Sequence, residues 1–300
     1  MIVDRSAGVC VVRDCADVVL LLCAHYLRMG LSRLVIIDDG SSDGTFERLE
    51  ALSAATAGRV EVRRNVSICD QQPELFTEAV NALIAEGLRF ILPFDGDEFW
   101  NLDRAAIARL TASGTPGVMT GRWVNFVQGR TRAFPTPTSL FAPSWRVAER
   151  DADRETVTGL RRAFVEVCES KVALWSDAPV GICRGQHGLT AGPAAALGPD
   201  CEIFHLPLRH KSELTKRALN YEPRRALIRE AAIQSWQSSF HRDMVLDGKT
   251  DLLWAANSAD SRGRLDVYGR RVQLVRDRRL QRLLMRAAMH LVARYRLSPV

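Results

Sequence analysis

The chain has 300 residues, of which 47% are hydrophobic and 25% charged, proportions that are typical of an ordinary globular protein. Its net charge of +6 comes almost entirely from arginine and fits an anionic ligand or surface, while no nucleic-acid-binding motif is present. The seven cysteines form no C-x-x-C pair, which argues against a zinc knuckle or a disulfide framework and favours reduced thiols in a cytosolic protein.

The first hundred residues alternate between strand-like and helix-like segments. The start, MIVDRSAGVC, lacks the features of a signal peptide, and the run VVLLLCA is too short to span a bilayer. The clearest helix is PELFTEAVNALIAEG, where apolar residues from Phe76 to Ile84 recur at helical spacing between Pro73 and Gly87. We expect strands at 8–14, 33–40, 59–64 and 89–94 and helices at 16–30, 45–52 and 73–87. This alternation predicts a mainly parallel sheet with right-handed crossovers.

The later part of the chain is less regular. We expect a bent strand at 118–129, a long surface loop or lid at 130–160 and a short strand at 172–175. A further strand should end at His205, a helix should begin at about Ser212, and a basic amphipathic helix should occupy 270–297. These segments suggest a domain over 1–220 with halves 1–100 and 101–220, followed by a helical extension over 221–300.

Three acids, Asp95, Asp97 and Glu98, follow the apolar run of FILPFDGDEFW. Asp95 and Asp97 stand two residues apart, so in an extended segment they share a face, and Gly96 lets a ligand approach the backbone. Ligands of parallel sheets bind at the carboxyl ends of the strands, where these acids lie. A divalent cation such as Mg²⁺ or Mn²⁺ between the carboxylates, with substrate phosphates completing its shell, would relieve their repulsion. The alternative is a solvated turn whose acids cap a helix.

A second acidic motif, DDGSSDGT, follows the second strand and opens a helix. Asp38 ends that strand, Asp39 has a carboxylate that a nucleobase or ribose could bind, and Gly40 and Ser41 belong to a tight polar turn. The alternative is a helix cap and turn, with Asp43 as the capping residue. Both motifs fall on one rim of the expected sheet.

Together the two motifs, over residues 8–100, resemble the family-2-type glycosyltransferases of the GT-A fold. The stretch VVRDCADVVLLLCAHYLRMGLSRLVIIDDGSSDGT and the later DGDEF are similar to the subgroup that includes the family-92-like enzymes. The resemblance implies a GT-A Rossmann-like sheet flanked by helices, a nucleotide-diphosphate sugar as donor, and Mn²⁺ or Mg²⁺ as cofactor. It implies nucleotide contact by Asp39 and metal and diphosphate contact by Asp95 and Asp97. HLPLRHKSELTKRA is similar to a C-terminal segment of that subgroup but has His210 and Lys211 between Arg209 and Ser212.

Several further side chains are candidates for the site. His187, between two glycines, is a candidate catalytic or contact residue, and His205, at a strand end, is a candidate third metal ligand. Arg209 and Lys216 could neutralise a leaving diphosphate. For Trp123 and Phe126 a core role is favoured over sugar stacking, and for His25 core packing is favoured.

The leading hypothesis is sugar transfer from a nucleotide-diphosphate sugar to a glycan, lipid-linked or other hydroxyl acceptor. A haloacid-dehalogenase-type phosphatase with Asp95 as nucleophile is disfavoured, because its motif normally ends the first strand of the domain. A non-catalytic nucleotide-sugar-binding protein is the other alternative. The sugar, the base, the acceptor and the stereochemical outcome stay open, with Glu166, Glu169 and Asp177 as unassigned candidates for a general base.

The tail from 270 to 297 has an apolar stripe from Leu280 to Tyr295 beside a ridge of Arg278, Arg282 and Arg286. Two interpretations follow. The stripe docks on the protein's own core, which is the more common arrangement, or the helix lies on an anionic membrane and makes a cytoplasmic enzyme peripheral to it.

Overall fold

The computed structural model describes residues 3–65, 72–136, 139–148, 170–197, 201–225 and 236–299. Its first part alternates strands and helices as the sequence predicts. These elements are β1 (Val3–Val12), α1 (Val19–Met29), β2 (Leu31–Asp38), α2 (Thr45–Ala55), β3 (Val60–Arg64), α3 (Gln72–Ala85), β4 (Phe90–Asp95), β5 (Glu98–Trp100) and α4 (Arg104–Ser113).

The second part mixes short strands with helices. It contains β6 (Gly117–Val127), a 3₁₀ turn (Ser139–Phe141), β7 (Trp145–Val147), β8 (Lys171–Trp175), β9 (Gly181–Ile182), a 3₁₀ turn (Arg184–Gln186), β10 (Leu189–Ala191) and β11 (Cys201–His205). These are followed by α5 (Ser212–Arg225), α6 (Trp236–Leu246), α7 (Thr250–Ala255), β12 (Leu265–Val267), β13 (Arg270–Val272), β14 (Leu274–Arg276) and α8 (Arg279–Tyr295).

Ten strands of the described chain form one mixed sheet. Strands β3, β2, β1 and β4 are parallel neighbours in that order, and β8 and then β6 continue the sheet in antiparallel fashion. The long β6 changes partner along its length, from β8 to β11 and β7, and β14 pairs with β7. Strand β5 pairs with β11. The sheet is therefore the mainly parallel α/β architecture expected from the sequence.

The register brings three strand ends to one edge. Val12 of β1 lies opposite Asp38 of β2, and Val11 lies opposite Asp95 of β4. Because the three strands are parallel, their carboxyl ends and the acids that follow them meet there. This edge is where the candidate site lies.

Apolar side chains cover both faces of the sheet. On β1, Cys10 and Val12 belong to the core cluster with α1, α2 and α8, whereas Ala7 and Val9 belong to the cluster with α3. This alternation follows from the two-residue period of a strand. A sheet buried on both faces needs helices on each side, which is the arrangement observed.

The structure differs from two sequence-based ranges. The loop expected at 130–160 contains the short strand β7, which pairs with β6 and β14 and buries Val147. Residues 137–138 and 149–160 of that range lie outside the described residues. The helix expected from residue 270 begins only at Arg279, because Val272 and Leu274 alternate at strand spacing. Residues after 221, expected to be helical, thus also contain three short strands, and the domain boundary at 220 stays a proposal.

Candidate functional site

The DGD turn joins β4 to β5 at the carboxyl edge of the sheet. Asp95 is the last residue of β4, and both of its carboxylate oxygens accept hydrogen bonds, Oδ1 from Gln72 at 3.3 Å and Oδ2 from Lys171 at 2.6 Å. Asp97 lies in the turn, and its backbone oxygen accepts a bond from the backbone nitrogen of Leu206 at 3.0 Å. The turn is therefore fixed to β8 and to the chain that follows β11.

Lys171 is the cation that makes the acidic cluster tolerable. Its side chain is 1% exposed, and its ammonium group lies 3.0 Å from Glu98 Oε1 and 3.0 Å from Gln186 Oε1 in addition to Asp95. Burial alone would lower the pKa of Lys171, but Asp95 and Glu98 outweigh it and raise that pKa. The buried ammonium group of Lys171 therefore compensates negative charge on Asp95 and Glu98.

Glu98 is fully buried behind the turn. Its Oε1 accepts a bond from Trp123 Nε1 at 2.8 Å, and its Oε2 accepts one from the Asp95 backbone nitrogen at 3.2 Å. Burial raises the pKa of Glu98 to about 7, with Lys171 opposing the rise and Asp95 supporting it. Glu98 therefore supports the turn from inside the protein.

Asp97 faces His205 across the edge of the sheet. Asp97 Oδ2 lies 3.8 Å from His205 Nε2, whereas His205 Nδ1 lies 2.6 Å from Asn125 Oδ1. An amide oxygen only accepts, so Nδ1 carries the proton and Nε2 presents its lone pair towards Asp97. The ring stacks on Trp123 with centroids 3.9 Å apart. Burial lowers the pKa of His205 to about 4, which keeps the ring neutral.

Asp97, in contrast to His205, stays in its charged form, because nearby positive charge outweighs the effect of burial. Burial would raise its pKa, but the positive charges of Arg217 and Arg209 oppose burial and the pKa lies below its ordinary value. Arg217 comes from α5 and places Nη2 3.4 Å from Asp97 Oδ2 and 3.1 Å from Glu213 Oε1. The site thus combines an anionic carboxylate, a neutral imidazole and a guanidinium.

Arg209 lies buried at the approach to α5. It is bound to Asp17 Oδ2 at 2.7 Å and to Glu213 Oε1 at 2.8 Å, and His210 Nε2 lies 3.5 Å from the same Asp17 oxygen. Burial opposes ionisation of Asp17, but Arg209 and His210 hold its pKa well below the usual range. Because Arg209 is held on two sides, it provides a fixed positive charge next to the DGD turn.

The DDGSSDGT motif forms a turn that is bound to the end of β1. Asp38 is fully buried and its Oδ2 accepts a bond from the Ser41 backbone nitrogen at 3.2 Å. Asp39 Oδ1 accepts a bond from Asn65 Nδ2 at 2.8 Å, and Ser41 Oγ accepts one from the Asp14 backbone nitrogen at 2.9 Å. Gly40 has a φ of 73°, a left-handed value that favours glycine.

Asp43 connects this turn to α5. Its Oδ1 accepts bonds from the backbone and hydroxyl of Thr45, while its Oδ2 accepts one from the Ala16 backbone nitrogen at 3.2 Å and lies 3.6 Å from Lys216 Nζ. The residue at the N-cap position of α2 is Gly44 rather than Asp43. The contact with Lys216 therefore brings the DDGSSDGT turn next to α5.

Two adjoining clefts open at this edge. The first, of about 260 Å³, is lined by the DGD turn, Gln72 and the basic residues Arg209, Lys216 and Arg217. The second, of about 290 Å³, shares Asp14, Arg209, Glu213 and Lys216 with the first and extends to Asp17, Asp43 and Leu140. Both clefts are lined by acids and bases together, a combination that suits an anionic ligand held through a cation.

The fit of a divalent metal depends on Asp97 and His205. In the described ranges no group of three His, Cys, Asp or Glu side chains could hold a metal alone. The 3.8 Å between Asp97 Oδ2 and His205 Nε2 is too long for a hydrogen bond. Two neighbouring ligands of an octahedral ion, each about 2.1 Å from it, lie about 3.0 Å apart, so the two side chains could share Mg²⁺ or Mn²⁺ after moving closer by less than about 1 Å. Asp95, expected as a further ligand, instead has both oxygens held by Gln72 and Lys171.

The remaining sequence candidates lie elsewhere. Asp38, Asp39, Gly40 and Ser41 line neither cleft, and neither does His187, which follows the 3₁₀ turn that holds Gln186 against Lys171. Asp177 follows β8, whose Trp175 lies opposite Phe90 at the far end of the sheet. Glu166 and Glu169 lie outside the described residues. His25 and Phe126 are core residues, as favoured from the sequence.

The sequence pattern assigned no role in the site to Lys171, Arg217 or Asp17, nor to Glu98, which it placed in the acidic cluster. Lys171 carried a usable signal, because a lysine that opens the wholly apolar run VALW on a buried strand needs an anionic partner. Arg217 and Asp17 carried none, because a charged side chain on a helix or loop is usually solvated. No helix in the described ranges has the length and apolar character needed to cross a membrane.

No protein-family model matches the sequence, and no curated protein matches it. Among solved structures, the fold is similar to the mannosyltransferase PcManGT from Pyrobaculum calidifontis, which was solved in complex with GDP-Man and Mn²⁺. The two sequences are 12% identical, the TM-score is 0.38, and the match covers 96% of this chain and 87% of that one. It is also similar to residues 1–349 of S. aureus TarS in complex with UDP, at 11% identity and a TM-score of 0.37 over 73% of this chain. That match spans 64% of the TarS fragment, less than two thirds of its length.

Proposed function

We propose that the chain is a glycosyltransferase of the GT-A type, which moves a sugar from a nucleotide-diphosphate sugar to an acceptor hydroxyl with the help of a divalent cation. One observation carries the proposal. The DGD turn and the basic residues Arg209, Lys216 and Arg217 line one cleft at the carboxyl edge of the sheet, with Arg217 in contact with Asp97. The resemblance of the two acidic motifs to family-2-type glycosyltransferases, and to the family-92-like subgroup, supports the same assignment.

The donor's diphosphate is proposed to lie in this cleft. Asp97 and His205 would hold Mn²⁺ or Mg²⁺, which supplies Lewis-acid stabilisation of the charge on the departing nucleotide. Asp95 would stay on Lys171 and orient the turn, which gives it a supporting position beside the ion. Arg217 and Lys216, which line the same cleft, would bind the phosphate oxygens directly, because the charge that develops there is best met by preorganised cations.

The nucleoside is proposed to extend towards the DDGSSDGT turn. Asp39 is 7% exposed and already accepts a bond from Asn65, so a base or ribose would have to share or replace that contact. Asp38, Gly40 and Ser41 then serve the shape of the turn rather than direct contact. The acceptor, whether glycan, lipid-linked or another hydroxyl compound, is proposed to enter through the second cleft, which shares Lys216 with the first.

A donor-hydrolysis screen tests the proposal. Full-length protein is incubated with radiolabelled nucleotide sugars in Mn²⁺ or in excess EDTA, and the release of free sugar is measured. We expect release from at least one donor in Mn²⁺ only. Asp97→Asn should reduce it about a hundredfold or more, as the loss of one electrostatic stabiliser does in other enzymes.

Asp177→Asn is the matched control, because it makes the same chemical change at the far end of the sheet. It should leave release unchanged. Equal release of sugar in Mn²⁺ and in excess EDTA would show that the reaction does not need a divalent cation. Release of inorganic phosphate instead of sugar would favour the phosphatase alternative.

A further inference from the structure

The inner face of α8 is already occupied by the protein itself. Leu280, Leu284 and Leu291 are fully buried in the same core cluster as α1, against which α8 packs. Of the two interpretations of the tail, docking of the apolar stripe on the protein's own core is therefore confirmed. A contact of α8 with anything else must use the opposite face.

That outer face combines exposed apolar and basic side chains. Met285, Met289 and Val292 are 50%, 62% and 52% exposed, which is unusual for large apolar residues. At about 3.6 residues per turn, Arg278 and Arg282 fall on the same face as the two methionines. The face is therefore amphipathic in itself, separately from the buried stripe.

The arginines of this face lack acidic partners. Arg278, Arg282 and Arg286 are exposed, and the helix contains no acid. Within the described ranges none of the three forms an ion pair, in contrast to Arg279, which binds Asp277 at 2.8 Å and Glu202 at 2.6 Å. Their charge is not compensated within the described chain.

One flank of the face continues onto the end of α1. Arg104 donates a bond from Nε to the Arg28 carbonyl oxygen at 2.9 Å, which places both side chains at the C-terminus of α1. Burial lowers the pKa of Arg28, and Arg286 and Arg104 lower it further, so three guanidinium groups lie near one another. Arg28 Nε is buried and has no hydrogen-bond partner among the described residues. The flank therefore holds three cations close together, an arrangement that a bound anion would stabilise.

We propose that the outer face of α8, together with Arg28, binds the surface of a membrane that carries anionic phospholipids. Guanidinium groups match phosphate oxygens in a two-point geometry, so Arg28, Arg282 and Arg286 bind headgroups. Met285 and Met289 enter the boundary between headgroups and acyl chains. This interaction is separate from glycosyl transfer and does not depend on it.

Flotation with liposomes tests the proposal, using the full chain at an ionic strength of about 0.1 M. The wild type should float with liposomes that contain phosphatidylserine and not with phosphatidylcholine alone. Arg282→Gln with Arg286→Gln should weaken binding about 25-fold, since each arginine near the surface accounts for roughly fivefold. Met285→Ser with Met289→Ser should also weaken it, because the exposed thioethers no longer insert.

The matched control is Arg262→Gln with Arg271→Gln, two exposed arginines elsewhere whose loss changes the net charge equally. It should float like the wild type. Failure of the wild type to float, or equal loss in the control, would overturn the proposal. Inorganic phosphate is a second probe of the arginine cluster. If it raises the melting temperature of the wild type but not of Arg286→Gln, and the wild type does not float, the cluster binds a soluble anion and the membrane assignment is wrong.

Discussion

At the scale of single residues, the site depends on charges that are balanced inside the protein. Lys171 faces Asp95, Glu98 and Gln186 from a buried position, and Arg209 faces Asp17 and Glu213. Buried ion pairs of this kind add little net stability, but the loss of one partner leaves an uncompensated charge. They hold the DGD turn and the approach to α5 in place before any ligand arrives.

Lys171→Met should lower the free energy of unfolding by about 3–5 kcal/mol, because Asp95 and Glu98 lose their shared cation. Lys216→Met, at a side chain that is 49% exposed, should cost at most about 1 kcal/mol. Urea unfolding of both variants against the wild type measures the difference. Equal losses in the two variants would show that Lys171 does not balance the cluster.

Histidine 25 provides a test of pH dependence. Burial lowers the pKa of His25 to about 3, while the unfolded chain titrates near 6.5. The unfolded state therefore binds an extra proton as pH falls below about 6.5, and the stability that His25 provides above that pH is lost progressively towards pH 3.

His25→Gln keeps a donor for the Trp100 carbonyl oxygen, which lies 3.0 Å from His25 Nε2, but it does not titrate. The unfolding free energy of the variant should fall less steeply than that of the wild type between pH 7 and pH 5. The two slopes should differ by up to about 1.4 kcal/mol per pH unit. Urea unfolding at pH 7, 6 and 5 measures the slopes. Identical slopes for variant and wild type would mean that His25 is not held neutral. His205, with a pKa of about 4, should maintain a residual slope in the variant.

At the scale of secondary structure, β6 organises the second half of the sheet. Gly121 pairs with Lys171 of β8 and with Cys201 of β11, at the point where β6 changes partner. A Cβ atom at Gly121 would lie 2.7 Å from Ile203 and 2.9 Å from Trp100. The side chains of Ile203 on β11 and Trp100 on β5 pack against β6 at this position and occupy the space that a Cβ atom would need.

Gly121→Ala should lower the melting temperature and cost about 1–3 kcal/mol through overpacking. Gly129→Ala, just beyond the end of β6, meets no atom within 4 Å and should be nearly neutral. Thermal unfolding of the two variants provides the comparison. If Gly121→Ala were as stable as Gly129→Ala, β11 would not pack against β6 as closely as described.

The sequence predicts much of this architecture, for physical reasons that differ between elements. The buried residues of α3 are those that recur at helical spacing from Phe76 to Ile84, and α5 begins at Ser212 as expected. The three-residue strands β7 and β14 are too short to show a period, and they pair across about 130 positions of sequence. Lys171 meets Asp95 only because β8 joins β4, a pairing that local pattern does not reveal.

At the scale of the whole molecule, four distant segments build one edge. The turn at 38–45, the DGD turn, the start of β8 and the segment 205–217 meet there, and α8 supports the same domain by packing on α1. The DGD site could be predicted because its acids are adjacent in sequence. Its supporting cations could not, because the fold alone brings them there.

Leu284→Ala should lower the free energy of unfolding by about 2–5 kcal/mol, because it removes a fully buried side chain between α8 and the core. Met285→Ala, at the adjacent exposed position, should change it by less than about 0.5 kcal/mol. Urea unfolding distinguishes a docked helix from a loosely attached one. Near-neutral behaviour of Leu284→Ala would contradict the packing of α8.

Calorimetric titration with UDP and GDP tests the central claim most directly, because it measures the diphosphate site without an acceptor. The wild type should bind at least one of the two more tightly in Mn²⁺ than in excess EDTA. Asp97→Asn should lose that difference, Arg217→Gln should weaken binding in both conditions, and Asp177→Asn should match the wild type. Equal affinity in Mn²⁺ and EDTA, or wild-type behaviour of Asp97→Asn, would contradict a metal–diphosphate site at the DGD turn.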